Sequence, residues 1–274
     1  MIDIPPDWHE ALTAGLAGSG RVLLLGPRDA GKSTFTLSFL QAAAARTIPA
    51  AILDLDVGQK LVGPPACVTL GCLGPHGLDL TGLAFVGTTD PVRGWRPLMA
   101  GAERLSREAP QGSLVINTGG LLAGPGRRLK AEKIAVLQPD LLIAIGTDPD
   151  LEALLAVGHA PALRLAPSPL ARRKTEGERR AARREAFRAY FAGARGHAGP
   201  LADPALAEAP PGTLLGLADA AGRDIGVGLL READPASGIV RYSAPALPRD
   251  PAAIRASALV LREDCSEMRR RPEA

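Results

Sequence analysis

Aromatic side chains make up only 3% of this chain, so its 46% hydrophobic content rests mainly on Ala and Leu, beside 31 Gly and 25 Pro. Cysteine is nearly as sparse. Cys67, Cys72 and Cys265 form neither a C-x-x-C pair nor an even set, which excludes a disulfide scaffold and predicts free thiols in a reducing compartment. Long apolar runs are missing too: no stretch of about 20 residues could cross a bilayer as a helix. The opening "MIDIPPDWHEAL" lacks the basic and apolar regions of a secretory signal. Together these absences predict a soluble, cytoplasmic protein with no membrane partner. Its 274 residues suffice for one large domain or two smaller ones with well-buried cores.

The strongest feature that is present is a phosphate loop. In "RVLLLGPRDAGKSTF", residues 21–35, a short apolar strand leads into G-x-x-x-x-G-K-[ST], and the helix-compatible run "STFTLSFLQAAAAR" follows. Glycines let such a loop wrap an anion with its N–H groups, and the helix N-terminus adds a favourable dipole. The candidate nucleotide-binding residues are Gly26, Asp29, Ala30, Gly31, Lys32, Ser33 and Thr34. Lys32 would reach the β and γ phosphates of ATP or another nucleoside triphosphate, and Ser33 would ligate Mg²⁺.

Further apolar segments at 50–59, 83–91, 112–120 and 139–146 read as strands, with helical segments near 95–108, 129–137 and 148–158 between the later ones. Alternating elements of this kind predict an α/β fold of P-loop NTPase type, with a mostly parallel sheet covered by helices on both faces. From about residue 203, short strands separated by turns such as Ala-Gly-Arg-Asp predict a small antiparallel β unit. The expected division is a P-loop domain over 1–202, with an arginine-rich lid at about 168–195, and a β unit over 203–274 ending in a frayed tail, "CSEMRRRPEA".

Asp54 and Asp56 close the second strand. Two residues apart in a strand, they project to one side, beyond the carboxyl end where open α/β sheets bind ligands. One carboxylate could hold the Mg²⁺ shell while the other accepts a proton from an attacking hydroxyl. The positive charge is concentrated elsewhere. Between Arg164 and Arg195, nine arginines and one lysine oppose three glutamates, a local balance of +7 in a chain whose net charge is +3. On a helical wheel Arg179, Arg180, Arg183, Arg184 and Arg188 share one half of the circumference. The spacing predicts an arginine face on which most arginines lack i,i+4 acidic partners, suited to a lid that closes over phosphates.

Taken in order, Gly26 to Ser33, "LDLDVGQ", "FVGTTDP", "VINTGGLLAGPG" and "RRKTEGERRAARREAFRAYF" resemble the polynucleotide 5′-hydroxyl kinases related to the kinase subunit of the mRNA cleavage and polyadenylation factor, with their nucleolar and archaeal relatives. The resemblance spans roughly residues 5–245. It implies transfer of the γ-phosphoryl of a nucleoside triphosphate to the 5′-hydroxyl end of RNA or DNA. In that scheme Lys32 is catalytic, Asp56 activates the hydroxyl, and Asp54 joins Ser33 at the metal. Arg179 and an upstream residue, Arg173 with Arg172 or Lys174 as alternatives, would stabilise the transferring phosphoryl. Gln59, Thr89, Pro91 and Arg183 are the candidate acceptor-binding residues.

This chain departs from the pattern at Leu121, where family members often carry a base-stacking Trp. Only about 20 residues precede the first strand, which predicts that the larger N-terminal domain of the eukaryotic relatives is absent. Trp8 could cover one end of the nucleotide or simply pack. Two other readings compete. A nucleotide-binding scaffold in an RNA-processing complex predicts erosion of Lys32, Asp56 or the lid arginines, none of which is eroded. A kinase of a small hydroxylated metabolite fits the modest net charge and Leu121. Protein partners are not specified by the sequence.

Overall fold

A computed structural model describes residues 5–18, 20–157, 160–168 and 171–268. Seven strands form the main sheet: β1 (Arg21–Leu25), β2 (Ala50–Asp54), β3 (Cys67–Gly74), β4 (Gly77–Phe85), β5 (Ser113–Asn117), β6 (Leu141–Ile145) and β7 (Ala162–Leu165), in the order β4-β3-β2-β5-β1-β6-β7. The five strands from β2 to β7 in that order are parallel, and the β3–β4 hairpin adds an antiparallel edge.

Period-two alternation in the buried strands decides which helix each side chain meets. Val22 and Leu24 of β1, with Ile52, Val115 and Ile143, pack against α1 (Pro6–Leu16) and α2 (Lys32–Ala45). Leu23 and Leu25, with Leu53, Ile116 and Leu142, face the opposite layer of α3 (Trp95–Glu108), α4 (Pro125–Leu137) and α5 (Pro149–Val157). Both faces of the sheet are therefore covered, as the alternating sequence predicts.

A second, antiparallel sheet is built from β8 (Arg195–Pro200), β9 (Thr213–Ala218), β10 (Asp224–Asp234), β11 (Ile239–Ala244) and β12 (Ala253–Val260), ordered β12-β9-β10-β11-β8. Its first strand lies upstream of residue 203. Between the sheets runs α6 (Glu176–Tyr190), opened by a reciprocal capping box in which Thr175 Oγ1 accepts from the Glu178 N–H and Glu178 accepts from the Thr175 N–H. Fully buried Phe187 seats α6 in an apolar cluster with Phe85, Leu214 and Val227, and the Tyr190 hydroxyl accepts from the Val227 N–H at 3.0 Å.

Several sequence expectations need correction. The strand expected at 83–91 ends at Phe85, and the segment after it is a loop. Helix α1, the β3–β4 hairpin's first strand and β7 were not anticipated. The tail is not frayed through residue 268: Cys265 is buried, Leu261 bridges to Glu267, and the Met268 N–H donates to Val260 O at 2.8 Å. Its final residues, 269–274, lie outside the described ones. No helix among the described residues is long and apolar enough to cross a membrane.

Candidate active site

The phosphate loop leaves β1 and enters α2 through backbone that mostly needs glycine. Gly26 has φ 147° and backs onto Ile145 O, which a Cβ there would approach to 2.4 Å; Gly31, at φ 107°, lies against the Trp8 ring. Trp8 is a packing residue: fully buried behind the loop, its indole N–H donates to Ala166 O at 3.0 Å. Lys32 is also buried, and its ammonium donates to Gly26 O at 2.8 Å and Pro27 O at 2.6 Å. Burial pulls its pKa down to about 8, against the attraction of Asp56 and Asp29. A cavity of about 410 Å³ opens here, lined among others by Lys32, Ser33, Thr34, Asp56, Gln59 and Arg179.

The two carboxylates of the D-x-D pair do not converge. β2 ends at Asp54, whose side chain is fully buried and accepts from the Asp56 N–H at 3.1 Å, the Leu61 N–H at 2.8 Å and Asn117 Nδ2 at 3.0 Å. Lys60 completes the set with an ion pair at 3.2 Å. With both oxygens engaged and the side chain outside the cavity, Asp54 holds the strand ends together, and the expected metal role finds no support in the geometry. Asp56 lies two residues beyond the strand. Its Oδ1 accepts from the Gly58 and Gln59 N–H groups, both at 2.9 Å, which turns the chain and leaves Oδ2 without a hydrogen bond among the described residues, at the cavity.

Ser33, whose exposed hydroxyl makes no hydrogen bond among the described residues, is the oxygen donor that would hold Mg²⁺. A hard oxygen of this kind fits a magnesium ion, which takes few protein ligands and fills its shell with phosphate oxygens and water. No group of three or more His, Cys, Asp or Glu among the described residues could hold a metal by itself.

The turn after β5 forms the wall facing Asp56. Gly120 lies so close to the phosphate loop that a Cβ would meet Arg28 N at 2.4 Å, and a methyl at Gly119 would sit 3.4 Å from Asp56 Oδ2. Thr118 Oγ1 donates to Leu24 O at 2.6 Å and accepts from Lys130, which also donates to Gly119 O. Lys130 and Lys133, one helical turn apart on α4, are both buried. Burial drives the Lys130 pKa well below that of a free lysine, and lowers that of Lys133 to about 8 despite the pull of Asp56 and Asp54. Sequence reasoning missed Lys60, Lys130 and Lys133. The signal for the last two was present in "RRLKAEKIAVL", where lysines spaced i,i+3 share a helix face with Leu129 and Leu137.

The lid arginines are not an unpaired face. Arg172 pairs with Glu178 at 2.7 Å, Arg179 with Asp29 at 2.5 Å, and Arg183 with Glu267 at 2.7 Å. Looser contacts join Arg180 to Glu176, Arg184 to Asp264 and Arg188 to Glu185. The unforeseen acids come chiefly from the phosphate loop and the C-terminal segment. Committed to Glu267 and largely covered, Arg183 is not free for an acceptor, contrary to expectation. Of the three upstream candidates, Arg172 and Lys174 line the cavity and Arg173 does not. Gln59 reaches α6, its Nε2 donating to Arg179 O at 3.1 Å. Thr89 approaches from the β4–α3 loop, its carbonyl 3.4 Å from where a Cβ at Gly58 would stand, with half-buried Pro91 two residues on.

This arrangement can be set beside known proteins. A solved Clp1p–Pcf11p complex contains a chain of the same fold, with a TM-score of 0.73 over 92% of this chain and 78% of that one, at 12% identity. A protein of Pyrococcus horikoshii named polyribonucleotide 5′-hydroxyl-kinase is 31% identical over 202 residues, covering 70% of this chain and 56% of the relative. Its namesake in Pyrococcus abyssi is 32% identical over 198 residues, covering 69% and 56%. A polynucleotide 5′-hydroxyl-kinase GRC3 of Gibberella zeae is 29% identical over 56% of this chain and 26% of its own. The chain thus spans little more than half the length of the Pyrococcus relatives. The family described as mRNA cleavage and polyadenylation factor CLP1 P-loop matches residues 26–193, from the phosphate loop through the lid helix, and the chain belongs to that family.

Proposed function

We propose that this chain is a polynucleotide 5′-hydroxyl kinase, transferring the γ-phosphoryl of ATP or another nucleoside triphosphate to the 5′-hydroxyl end of RNA or DNA. The observation that carries the reading is the meeting of Lys32, Asp56 and Arg179 at one cavity, with Asp56 Oδ2 unengaged among the described residues. The kinase names of the archaeal and fungal relatives support it. In the reaction, Asp56 Oδ2 accepts the proton of the 5′-hydroxyl as that oxygen forms its bond to the γ-phosphorus. The bond from phosphorus to the β,γ-bridging oxygen breaks, and the nucleoside diphosphate leaves with that electron pair. Lys32 offsets charge on the β and γ oxygens, and the Arg179 guanidinium matches the equatorial oxygens of the transferring group. Mg²⁺ held at the Ser33 hydroxyl would supply further neutralisation of phosphate charge. Thr89, Pro91 and Gln59 line the acceptor side in this reading. The unpaired thiols fit a cytoplasmic enzyme.

The test is incubation with γ-labelled ATP and matched RNA and DNA oligonucleotides ending in 5′-hydroxyl or 5′-phosphate. Label should enter only the 5′-hydroxyl oligonucleotides, should be lost reversibly in EDTA, and should be absent with Lys32→Ala. Equal transfer to a small polyol, or full activity in EDTA, would overturn the reading.

A further inference from the structure

Asp29 is a surprising residue for a loop that receives a triphosphate. It puts a carboxylate beside the anion the loop is to hold, and its backbone sits at φ 61°, a left-handed conformation unfavourable for most side chains. It lines the cavity, but its hydrogen bonds go to the lid segment. Oδ2 accepts from the Lys174 N–H at 3.0 Å and from Arg179 Nη2 at 2.5 Å. Arg179 Nη2 also donates to Lys174 O at 3.2 Å, so carboxylate, guanidinium and the lid's entry backbone close one ring. From the opposite side Gln59 Nε2 holds the Arg179 carbonyl at 3.1 Å. Arg179 is thereby fixed at head and backbone by the two segments that flank the reacting phosphate. Only one of its nitrogens is spent on Asp29: Nε and Nη1 make no hydrogen bond among the described residues, and the side chain lines the cavity.

We infer that Asp29 is the positioning residue of the lid, orienting Arg179 toward the transferring phosphoryl group and holding the 172–179 segment against the phosphate loop, and that it is not a ligand of the nucleotide. The inference rests on the transfer reaction proposed above. An arginine that swings freely must be ordered during the reaction. One gripped at Nη2 presents its remaining N–H groups in a fixed direction, which is where the gain from preorganisation lies. The negative charge of Asp29 opposes triphosphate binding, and the ion pair with Arg179 offsets that repulsion.

Asp29→Asn tests this cleanly, because Asn tolerates the left-handed backbone and can still accept from the Lys174 N–H while losing the ion pair. Three quantities are read: affinity for a fluorescent ATP analogue, the single-turnover transfer rate to a 5′-hydroxyl oligonucleotide, and the rate of tryptic cleavage at Arg172, Arg173 and Lys174. Nucleotide affinity should stay within about threefold or tighten. The single-turnover rate should fall by about 10²-fold, the cost of a misplaced group, and cleavage should accelerate with and without nucleotide. Weaker nucleotide binding with unchanged cleavage would make Asp29 a nucleotide ligand and overturn the inference. A faster single-turnover rate would overturn it too, by making the contact a restraint on the lid. If the wild-type protein transfers nothing to any 5′-hydroxyl, the function fails, while cleavage and nucleotide affinity still decide whether Asp29 anchors the lid.

Discussion

At the scale of the residue, Asp54 and Asp56 are separated by one leucine and have opposite surroundings. Asp56→Asn should therefore slow phosphoryl transfer by about 10²–10⁴-fold, the usual range for losing a general base, with the unfolding midpoint unchanged. Asp54→Asn should strand the buried Lys60 ammonium and cost about 3–5 kcal/mol of stability, measured as a lower denaturation midpoint. The reverse pattern would exchange their roles. Lys32 and Lys133 carry pH dependence. Burial lowers Lys32 to about 8, so the free protein loses this charge as pH rises through that value, and a bound triphosphate draws the proton back. ATP binding near pH 8.5 should accordingly take up protons, detected by calorimetry in buffers of different ionisation enthalpy, and Lys32→Ala should abolish the uptake. Lys133 also titrates at about 8 when folded and at 10.5 when free. Between those values the unfolded chain binds more protons, so this group makes stability rise with pH across that window. Lys133→Met should flatten the rise and stabilise the protein at pH 7, read from denaturation curves at pH 7 and 10.

Among the elements, α6 was the most legible and its partners the least. The helix could be read from the one-sided spacing of its arginines, whereas the reciprocal cap of Thr175 and Glu178 that starts it was not anticipated. Its ion pairs could not be read, because Arg179 meets Asp29 and Arg183 meets Glu267 across 150 and 84 residues of sequence, a distance local charge patterns do not reach. The β3–β4 hairpin escaped for a different reason. One end of each strand is buried and the other exposed, so an apolar run marked only the half near Phe85. The parallel strands β1, β2, β5 and β6, buried along nearly their whole length, were legible because burial on both faces imposes continuous apolar sequence, whereas β7, buried only at Leu165, was not. Phe187 ties the lid helix to the second sheet. Phe187→Ala should cost about 3–5 kcal/mol and, in protein kept folded at low temperature, slow the single-turnover step more than it weakens ATP binding. A uniform loss of both would mean the helix contributes to stability alone.

For the whole molecule, the second sheet is joined to the first at the strand that leads into the proposed acceptor side. The Phe85 ring occupies the space where a Cβ on Gly216 would fall, and the Phe85 N–H donates to Asp224 Oδ2 at 2.9 Å. Gly216→Ala should lower the thermal midpoint and raise the oligonucleotide KM more than the ATP KM, because the segment from residue 86 to Pro91 begins at the displaced ring. Equal changes in both constants would separate the β unit from acceptor binding. The contact between Gly120 and the backbone of Arg28 has its own consequence for how the molecule moves. With no side chain between them, the wall under the nucleotide and the wall facing Asp56 form a single slab, and neither can slide without steric overlap. Opening and closing then fall to the third wall, the segment from Arg172 to Arg179. In hydrogen–deuterium exchange, ATP should slow amides of that segment by a large factor, whereas those of residues 113–120, already protected, should change little.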